Sequence, residues 1–289
     1  MRNRNYRFGG LEFSVILPEE MAGGEYSPLK PFQVDSVTKP QEFCFRFVDR
    51  LPLPHSQAVC LAKEANLWVY QEPDAFVRYK GSLTEDLSGT TMRVEYRRNK
   101  HEVLLRRGAF RDSIGTKTLL DALALEHMLI RNRGLLFHCA YIEVDGGALL
   151  FTAPSQTGKS TQADLWMEYR GAEIINGDRA AIRITEDGIR VEGLPYSGSS
   201  PYCKNKTLPL KAIVYLSQAP VTSIRRLCGF EAFARIWEGV FVNTWDRTDL
   251  ELASETVQRI AETVPVFYMP CTPDESAVET LERELVKVW

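Results

Sequence analysis

The sequence predicts an α/β (α+β) protein in two parts: a small, mainly β domain over residues 1–115 and a domain that mixes strands and helices over residues 116–289. Before residue 115, short segments that alternate apolar and polar residues recur between turns, as half-buried strands do. A helix with a broad leucine face follows over 116–132, and Gly134 supplies a terminator. Beyond that helix, strand and helix patterns are intermixed.

The strands of the first part lie between turns that carry proline and glycine, as in 51–54. They are predicted at 12–17, 42–48, 67–70, 76–79, 92–96 and 102–105. In the second part, segments 135–144 and 148–152 flank the turn 145–147 and predict a hairpin. Further strands are predicted at 172–175, 180–184, 189–191, 210–216 and 266–269, and helices at 229–240, 249–263 and 275–287.

Composition and charge exclude several classes of function. The net charge of −3 provides no basic field of the kind that nucleic-acid binding requires, and no stretch approaches the roughly 18 apolar residues of a membrane span. The N-terminus has a basic start without an apolar stretch behind it, which argues against a secretory signal. Six scattered cysteines and four histidines give little support for a zinc site. We therefore expect a cytoplasmic protein with reduced cysteines.

The second strand of the predicted hairpin runs directly into a phosphate-loop pattern. This pattern is Gly-x-x-x-x-Gly-Lys-Ser/Thr between a strand and a helix, and its backbone N–H groups and helix N-terminus bind phosphate. Lys159 would contact the β- and γ-phosphates, and the Ser160 hydroxyl would coordinate Mg²⁺. The residues predicted to bind ATP are Ala153, Pro154, Ser155, Gln156, Thr157, Gly158, Lys159, Ser160 and Thr161.

The loop departs from the pattern at its first position, where Ala153 replaces the usual glycine. Alanine tolerates a positive φ poorly. Either this position therefore has an ordinary φ or the loop is altered.

Asp178 is the candidate for the carboxylate that a phosphoryl-transfer enzyme needs, either as a metal ligand or as the base for the acceptor hydroxyl. It follows an apolar strand, at the place where a parallel strand next to the loop would end. The alternative is an ordinary turn aspartate in an Asn-Gly-Asp corner, and the sequence leaves both interpretations open.

Several ordered segments resemble the HPr kinase/phosphorylase family and its relatives, which share a phosphoenolpyruvate-carboxykinase-like core. The resemblance covers roughly 116–289 and includes His138 and Cys139, the phosphate loop, Asn176–Asp178, the Gly193–Gly198 segment and the strand near 209–215. It implies a mixed, antiparallel-rich sheet around the loop, which the predicted hairpin agrees with.

The resemblance also implies roles for individual residues. Lys159 and Ser160 would bind phosphate and Mg²⁺, Asp178 would receive the serine proton, and His138 would lie near the transferred phosphate. His138 is alternatively a hydrogen-bonded core residue. Arg179 would steady a phosphate oxygen, or it forms a surface salt bridge.

Two departures from the family separate this chain from HPr kinases. Those enzymes carry two adjacent aspartates where this chain has Gly177 and Asp178. Glu192 or Glu143 would then take the metal-binding role of the missing aspartate. Each of them is alternatively an ordinary exposed hairpin residue. The segment that HPr kinases use to engage HPr is not recognisable, which favours a different substrate.

The sequence therefore predicts an ATP- and Mg²⁺-dependent serine kinase, similar to those that modify ribosomally made peptides such as lasso-peptide precursors. Its partner would be a serine-bearing peptide or protein, without nucleic acid or membrane, and a homo-oligomer is an open option. A nucleotide-dependent regulatory module and a kinase of a small-molecule hydroxyl are the alternatives, because the core alone does not define the acceptor.

Overall fold

The computed structural model describes residues 1–22, 26–84, 87–109, 115–196, 198 and 200–288. It divides into two compact units: Met1–Arg7 with Leu11–Ala124, and Phe8–Gly10 with Leu125–Trp289. Each unit contains a mixed sheet, so the predicted α/β class is confirmed. Within the described residues, no helix combines the length and the apolar character needed to span a bilayer.

The sheet of the first unit mixes parallel and antiparallel pairs among the described strands, in the order β3-β1-β2-β4-β9-β8-β7-β6-β5. Its strands are β1 (Arg2–Phe8), β2 (Leu11–Leu17), β3 (Gln33–Val34), β4 (Gln41–Val48), β5 (Val59–Lys63), β6 (Leu67–Gln71), β7 (Phe76–Gly81), β8 (Thr90–Arg97) and β9 (Lys100–Arg106). Strand β4 pairs in parallel with both β2 and β9. The helical segments are α1 (Glu19–Ala22), a 3₁₀ helix (Ser27–Phe32) and α2 (Thr116–Leu123).

The helix predicted over 116–132 is two helices, α2 and α3 (Leu125–Arg131). They are separated by Ala124, which lies in the left-handed region with φ of +48°. Leucine periodicity continues across this position because both helices bury apolar residues. The sequence pattern therefore gave no sign of the interruption.

In the second unit, strands from distant parts of the chain form one branched sheet. The described strands are β10 (Gly134–His138), β11 (Ala140–Val144), β12 (Gly147–Thr152), β13 (Glu173–Asn176), β14 (Arg179–Thr185), β15 (Gly188–Gly193), β16 (Thr207–Gln218), β17 (Arg225–Leu227), β18 (Val240–Phe241) and β19 (Val266–Cys271). The remaining helices are α4 (Lys159–Arg170), α5 (Gly229–Trp237), α6 (Arg247–Thr263) and α7 (Glu275–Leu285).

Strand β16 joins the two arms of this sheet. Its first residues pair antiparallel with β15, which leads through β14 to β10. Its later residues pair in parallel with both β12 and β19. Because the carboxyl ends of parallel strands lie at the same edge of a sheet, the loops that follow β12, β16 and β19 meet there.

Helices cover both faces of the sheet around β12. Alternate residues of a strand point to opposite faces, and Leu150 and Phe151 accordingly belong to different cores. Phe151 packs with residues of α4 and α7, whereas Leu150 packs with residues of α5 and α6. Both are fully buried, so β12 and the loop that follows it start from a rigid base.

Two details of the predicted strands are wrong. Segment 135–144 is two strands with different partners: β10 pairs with β14 and β18, and β11 pairs with β12 and β13. In addition, the strand that ends before Asp178 does not lie next to β12. Strand β11 lies between β13 and β12, because the hairpin places its first strand on that side.

Candidate active site

The phosphate-loop segment connects β12 to α4, which is the strand–loop–helix context that the sequence pattern requires. Gly158 caps α4 with φ of +116°, and a Cβ atom built there meets nothing within 4 Å. Gln156 also has a positive φ, at +64°, whereas Ala153 is not among the residues with a positive φ. Ala153 therefore has an ordinary φ, and its substitution for glycine needs no strained backbone.

Lys159 lies along the loop with its ammonium group directed at the loop backbone. Its Nζ donates to the carbonyl oxygens of Ala153 at 2.9 Å and Pro154 at 3.3 Å. Burial lowers the pKa of Lys159, while the neighbouring Cys139 and Asp178 act in the opposite direction. The nearby Asp178 carboxylate thus favours the charged form of the lysine that the pattern assigns to phosphate binding.

Asp178 is held at a corner organised by the buried side chain of Asn176. The Asn176 Oδ1 accepts the backbone N–H groups of Asp178 at 2.9 Å and Arg179 at 3.0 Å. Its Nδ2 donates to the carbonyl oxygens of Leu194 and Tyr196, which ties the corner to the Gly193–Gly198 segment. The asparagine is fully buried and uses both ends of its amide, so the position of Asp178 is fixed.

Arg179 is enclosed by two aromatic rings. Its guanidinium carbon lies 4.9 Å from the centroid of Tyr196 and 4.5 Å from that of Phe241. Its Nε donates to Asp178 Oδ2 at 2.9 Å. Arg179 therefore does not form an isolated surface salt bridge, because stacking restricts its orientation next to the Asp178 carboxylate.

His138 ends β10, directly opposite Arg179 in the β10–β14 pair. Burial lowers the pKa of His138, and Lys159 and Arg179 lower it further, whereas Asp178 acts in the opposite direction. The backbone N–H of the next residue, Cys139, donates to the carbonyl oxygen of Asp178 at 3.2 Å, so His138 lies next to the Asp178 corner. Its carbonyl oxygen also accepts a hydrogen bond from Thr152 Oγ1 at 3.0 Å, which connects it to the last residue of β12.

Ser160 and Asp178 line one cavity of about 230 Å³. A second carboxylate, Asp164, also lines this cavity, because it lies one helical turn after Ser160 on α4. Burial raises the pKa of Asp164. The cavity therefore places two carboxylates and the phosphate-loop hydroxyl around one space, and oxygen ligands of this kind suit Mg²⁺.

The structure does not bring Glu192 into this cavity. Its Oε1 accepts from Arg183 Nη1 at 2.6 Å, and its Oε2 accepts from the backbone N–H of Gly10 at 2.8 Å. Both oxygens are thus occupied by protein donors, which does not fit the metal role predicted for Glu192. The alternative, Glu143, pairs with Lys206 and likewise does not line the cavity.

Gly177 explains why no second aspartate precedes Asp178. A Cβ atom at this position would lie 2.3 Å from Ser200 Oγ and 2.5 Å from Ser200 Cβ. Ser200 thus fills the space that a side chain at position 177 would need, and Ser200 itself lines the cavity with Asp178. The second carboxylate that lines this cavity comes from another element, because it is Asp164 on α4.

Sequence reasoning missed Asp164, Tyr196 and Phe241 as members of the site. The spacing of Asp164 from Ser160 was a usable signal, because residues four apart on a helix share a face. Tyr196 lies in a segment that the resemblance already singled out. Phe241 is 62 residues beyond Arg179 in the chain, and only the pairing of β10 with β18 brings it near.

A second polar cluster joins α3 to α6 within the same unit. Buried Asp249 accepts hydrogen bonds from His127 Nδ1 at 2.7 Å, Arg131 Nε at 2.8 Å and Asn243 Nδ2 at 3.0 Å. His127, Asp246 and Asp249 are close enough together to bind a metal ion. However, Arg131 pairs with both Asp246 and Asp249, so a cation of the protein already contributes a positive charge to these carboxylates. The contacts give this cluster a structural role, because they join α3 to α6.

No protein-family model matches this chain, and no curated protein matches it. Among solved structures, it is similar to the HPr(Ser) kinase/phosphatase from Coxiella burnetii, over 53% of this chain and 97% of that one. Sequence identity is 10% and the TM-score is 0.32, a level of agreement too low to establish a shared function.

Proposed function

We propose that this protein is an ATP-dependent kinase with an HPr-kinase-like core, which transfers the γ-phosphoryl group to a serine hydroxyl of a peptide or protein. One observation carries the proposal: Ser160 of the phosphate loop and Asp178 line the same cavity. A phosphate-binding group and a carboxylate that share a cavity are the minimum that hydroxyl phosphorylation requires.

The residues present fit a nucleoside triphosphate with magnesium. The N-terminus of the 12-residue helix α4 and the open space at Gly158 would accommodate phosphate oxygens. Ser160 and Asp164 would hold Mg²⁺, which when bound neutralises charge on the β- and γ-phosphates. Lys159 contributes a second positive charge from within the loop.

Asp178 is assigned as the base that orients the acceptor hydroxyl and takes its proton. Its Oδ2 is bound by Arg179, so Oδ1 is the oxygen assigned to the acceptor hydroxyl. Arg179 and His138 lie beside it, and the guanidinium would stabilise negative charge on the transferred group. Burial lowers the pKa of His138, which favours a neutral imidazole that can donate or accept one hydrogen bond.

The acceptor is proposed to be a serine near the end of a ribosomally made precursor peptide, of the lasso-peptide type. A cavity of about 230 Å³ is smaller than the pockets of about 300–1,000 Å³ that hold drug-sized ligands. It has room for a short side chain such as that of serine.

The test is phosphate transfer from γ-labelled ATP with Mg²⁺ to a synthetic peptide that ends in serine, read as a mass gain of one phosphate. The matched control peptide ends in alanine. Asp178→Asn should retain ATP binding and reduce turnover by ~10²–10⁴, the scale of general-base catalysis. Loss of Mg-ATP binding in this variant would instead show that the main role of Asp178 is to bind the metal ion.

A nucleotide-dependent regulatory module is the second candidate, and two contacts favour it. One oxygen of the Asp178 carboxylate is bound by Arg179 and is not free for an acceptor hydroxyl, and Lys159 Nζ is bound to a carbonyl oxygen of its own loop. Nucleotide binding without transfer to any peptide would support this candidate. Transfer to a small-molecule hydroxyl in the same assay would support the third candidate, a small-molecule kinase.

A further inference from the structure

A second cavity, of about 560 Å³, lies on the other side of the phosphate loop. It is lined by Thr157 and Gly158 of the loop, by the first turn of α4, and by segments 218–220 and 271–273. These two segments follow β16 and β19, the strands that run parallel to β12. The cavity therefore lies beyond the carboxyl ends of parallel strands, where ligands bind in open α/β sheets.

Contacts between the lining segments hold this cavity in shape. Gln218 Nε2 donates to the carbonyl oxygen of Gln156 at 3.3 Å, which connects the end of β16 to the phosphate loop. The Ala219 N–H donates to the carbonyl oxygen of Cys271 at 3.2 Å, which connects the ends of β16 and β19. The cavity is thus built on three elements that are bound to each other.

Gln162 lines this cavity and has a buried acceptor atom without a partner among the described residues. Its side chain is 2% exposed, and its Nε2 donates to the carbonyl oxygen of Thr272 at 3.3 Å and to Cys271 Sγ at 3.4 Å. A carbonyl oxygen only accepts, so this contact fixes which end of the amide is the nitrogen. The Oε1 atom is buried and accepts no hydrogen bond from any residue that the structure describes.

We propose that this cavity binds the base of the nucleotide and that Gln162 selects adenine through its exocyclic amino group; this inference rests on the proposed function. Thr157 and Gly158 belong both to the cavity and to the phosphate loop, so one ligand spans the two. Ala219, Pro220 and Pro273 supply apolar surface for the ring. The amino group of adenine supplies the donor that Gln162 Oε1 lacks. A 6-keto purine would instead place a carbonyl oxygen next to Oε1, and two acceptors cannot form a hydrogen bond.

The test compares the affinities of ATP and inosine triphosphate, each with Mg²⁺, by calorimetry. The two nucleotides differ at position 6 of the purine, which carries an amino or a keto group, and at N1, which accepts a hydrogen bond in adenine and donates one in hypoxanthine. The wild-type protein should bind ATP about tenfold more tightly, the scale of one hydrogen bond. Gln162→Met keeps the side-chain volume without the acceptor and should bind the two nucleotides alike.

Gln258→Met is the matched control for that substitution. Gln258 is an exposed glutamine of α6 whose Nε2 donates to Glu262, and it does not line the cavity. This variant should retain the full preference for ATP. An equal loss of preference in Gln258→Met and Gln162→Met would overturn the assignment to Gln162.

Cys271 provides a second readout that does not depend on a substitution. It lines the cavity, and burial raises its pKa to about 11, so its alkylation is slow at neutral pH. Bound ATP should slow this alkylation further, measured by peptide mass spectrometry after labelling with iodoacetamide. The exposed Cys60 and Cys228 are internal controls whose labelling should not change.

The outcomes separate the inference from the proposed function. Failure of the protein to bind ATP or inorganic tripolyphosphate would overturn both. Three results together would overturn the base-pocket inference alone. The wild-type protein would bind the two nucleotides equally, Cys271 would not be protected, and Lys159→Ala would still abolish binding. Selective binding of ATP with protection of Cys271 supports it.

Discussion

Arg179 shows how a residue with an unremarkable sequence context can be held in a defined orientation. The sequence left open a surface salt bridge or a phosphate contact. In the structure two aromatic rings lie on the guanidinium, and its Nε binds Asp178. A planar guanidinium can stack between rings and donate sideways at the same time, which a lysine ammonium cannot do.

Arg179→Lys should therefore reduce phosphoryl transfer although it keeps the positive charge. Lost stacking of about 1–2 kcal/mol corresponds to roughly a fivefold to thirtyfold lower kcat. The measurement is steady-state transfer at saturating ATP. Arg247→Lys is the matched control, because Arg247 is a highly exposed residue of α6 paired only along its own helix with Glu251. Unchanged kcat in Arg179→Lys would remove Arg179 from the transfer step.

At the scale of elements, the transition from the phosphate loop to α4 depends on one backbone conformation. Gly158 has φ of +116°, and a side chain there would meet no neighbouring atom within 4 Å. Substitution of Gly158 therefore costs backbone strain without a steric clash. The effect of that strain on the loop can be separated from its effect on folding.

Gly158→Ala should lower the free energy of unfolding by about 1–2 kcal/mol, the cost of a left-handed residue with a Cβ, and should also weaken ATP binding. Gly188→Ala is the matched control. Gly188 has φ of +108°, and its Cβ would likewise meet nothing within 4 Å, but it lies in the β14–β15 turn. Urea titrations should show similar losses of stability for both variants, and calorimetry should show weaker ATP binding for Gly158→Ala alone. Equal ATP affinity in the two variants would contradict the role of Gly158.

The α3–α6 connection is an element-scale feature with a pH dependence. Burial by itself would raise the pKa of Asp249, but hydrogen bonds from His127, Asn243 and Arg131 outweigh it and leave the pKa lowered. A carboxyl group with a lowered pKa stabilises the fold above its unfolded-state value. That contribution is lost as the pH falls through the folded-state pKa.

Asp249→Asn should lower the free energy of unfolding at pH 7 by about 1.5–3 kcal/mol, the scale of hydrogen bonds to a buried charged group. The difference from the wild-type protein should be constant from pH 7 down to about pH 5. It should shrink below about pH 4, where the carboxyl group of the unfolded chain is protonated. Urea titrations across this range measure it. A difference that grows on acidification would contradict the lowered pKa.

For the molecule as a whole, a ligand that binds the folded state should stabilise it by mass action. At about 100 times the dissociation constant, Mg-ATP should add about 2.7 kcal/mol to the free energy of unfolding, visible as a higher Tm. Lys159→Ala should show a smaller shift at the same ATP concentration, and inorganic phosphate is the control ligand. An identical shift in wild-type and Lys159→Ala protein would place the bound nucleotide elsewhere.

Sequence reasoning reached those parts of the fold that depend on local patterns. The apolar run at 210–216 predicted β16, and the strand–loop–helix order predicted the context of the phosphate loop. The pairing partners of the strands could not be predicted from the sequence. The apolar pattern of 135–144 looks the same whether this segment forms one strand or two strands with different partners. Strand β1 was missed because its segment is mostly polar, with Tyr6 and Phe8 as its buried residues.

The candidate site was predictable where it is contiguous and unpredictable where distant segments contribute. Lys159 and Ser160 follow from one motif, and Asp178 was identified by its corner. Phe241 reaches the site through a two-residue strand pair that no local pattern indicates. Glu192 was predicted as a metal ligand in place of a second aspartate, and its bond to Arg183 on the neighbouring strand could not be foreseen.

The packing of Ser200 against Gly177 couples the residues that these two positions can accept. A side chain at position 177 and the present Ser200 side chain compete for one space, with a Cβ–Oγ separation of 2.3 Å. Substitution of Gly177 by aspartate would therefore require a change at position 200. Each of the two positions restricts the residues that the other can accept.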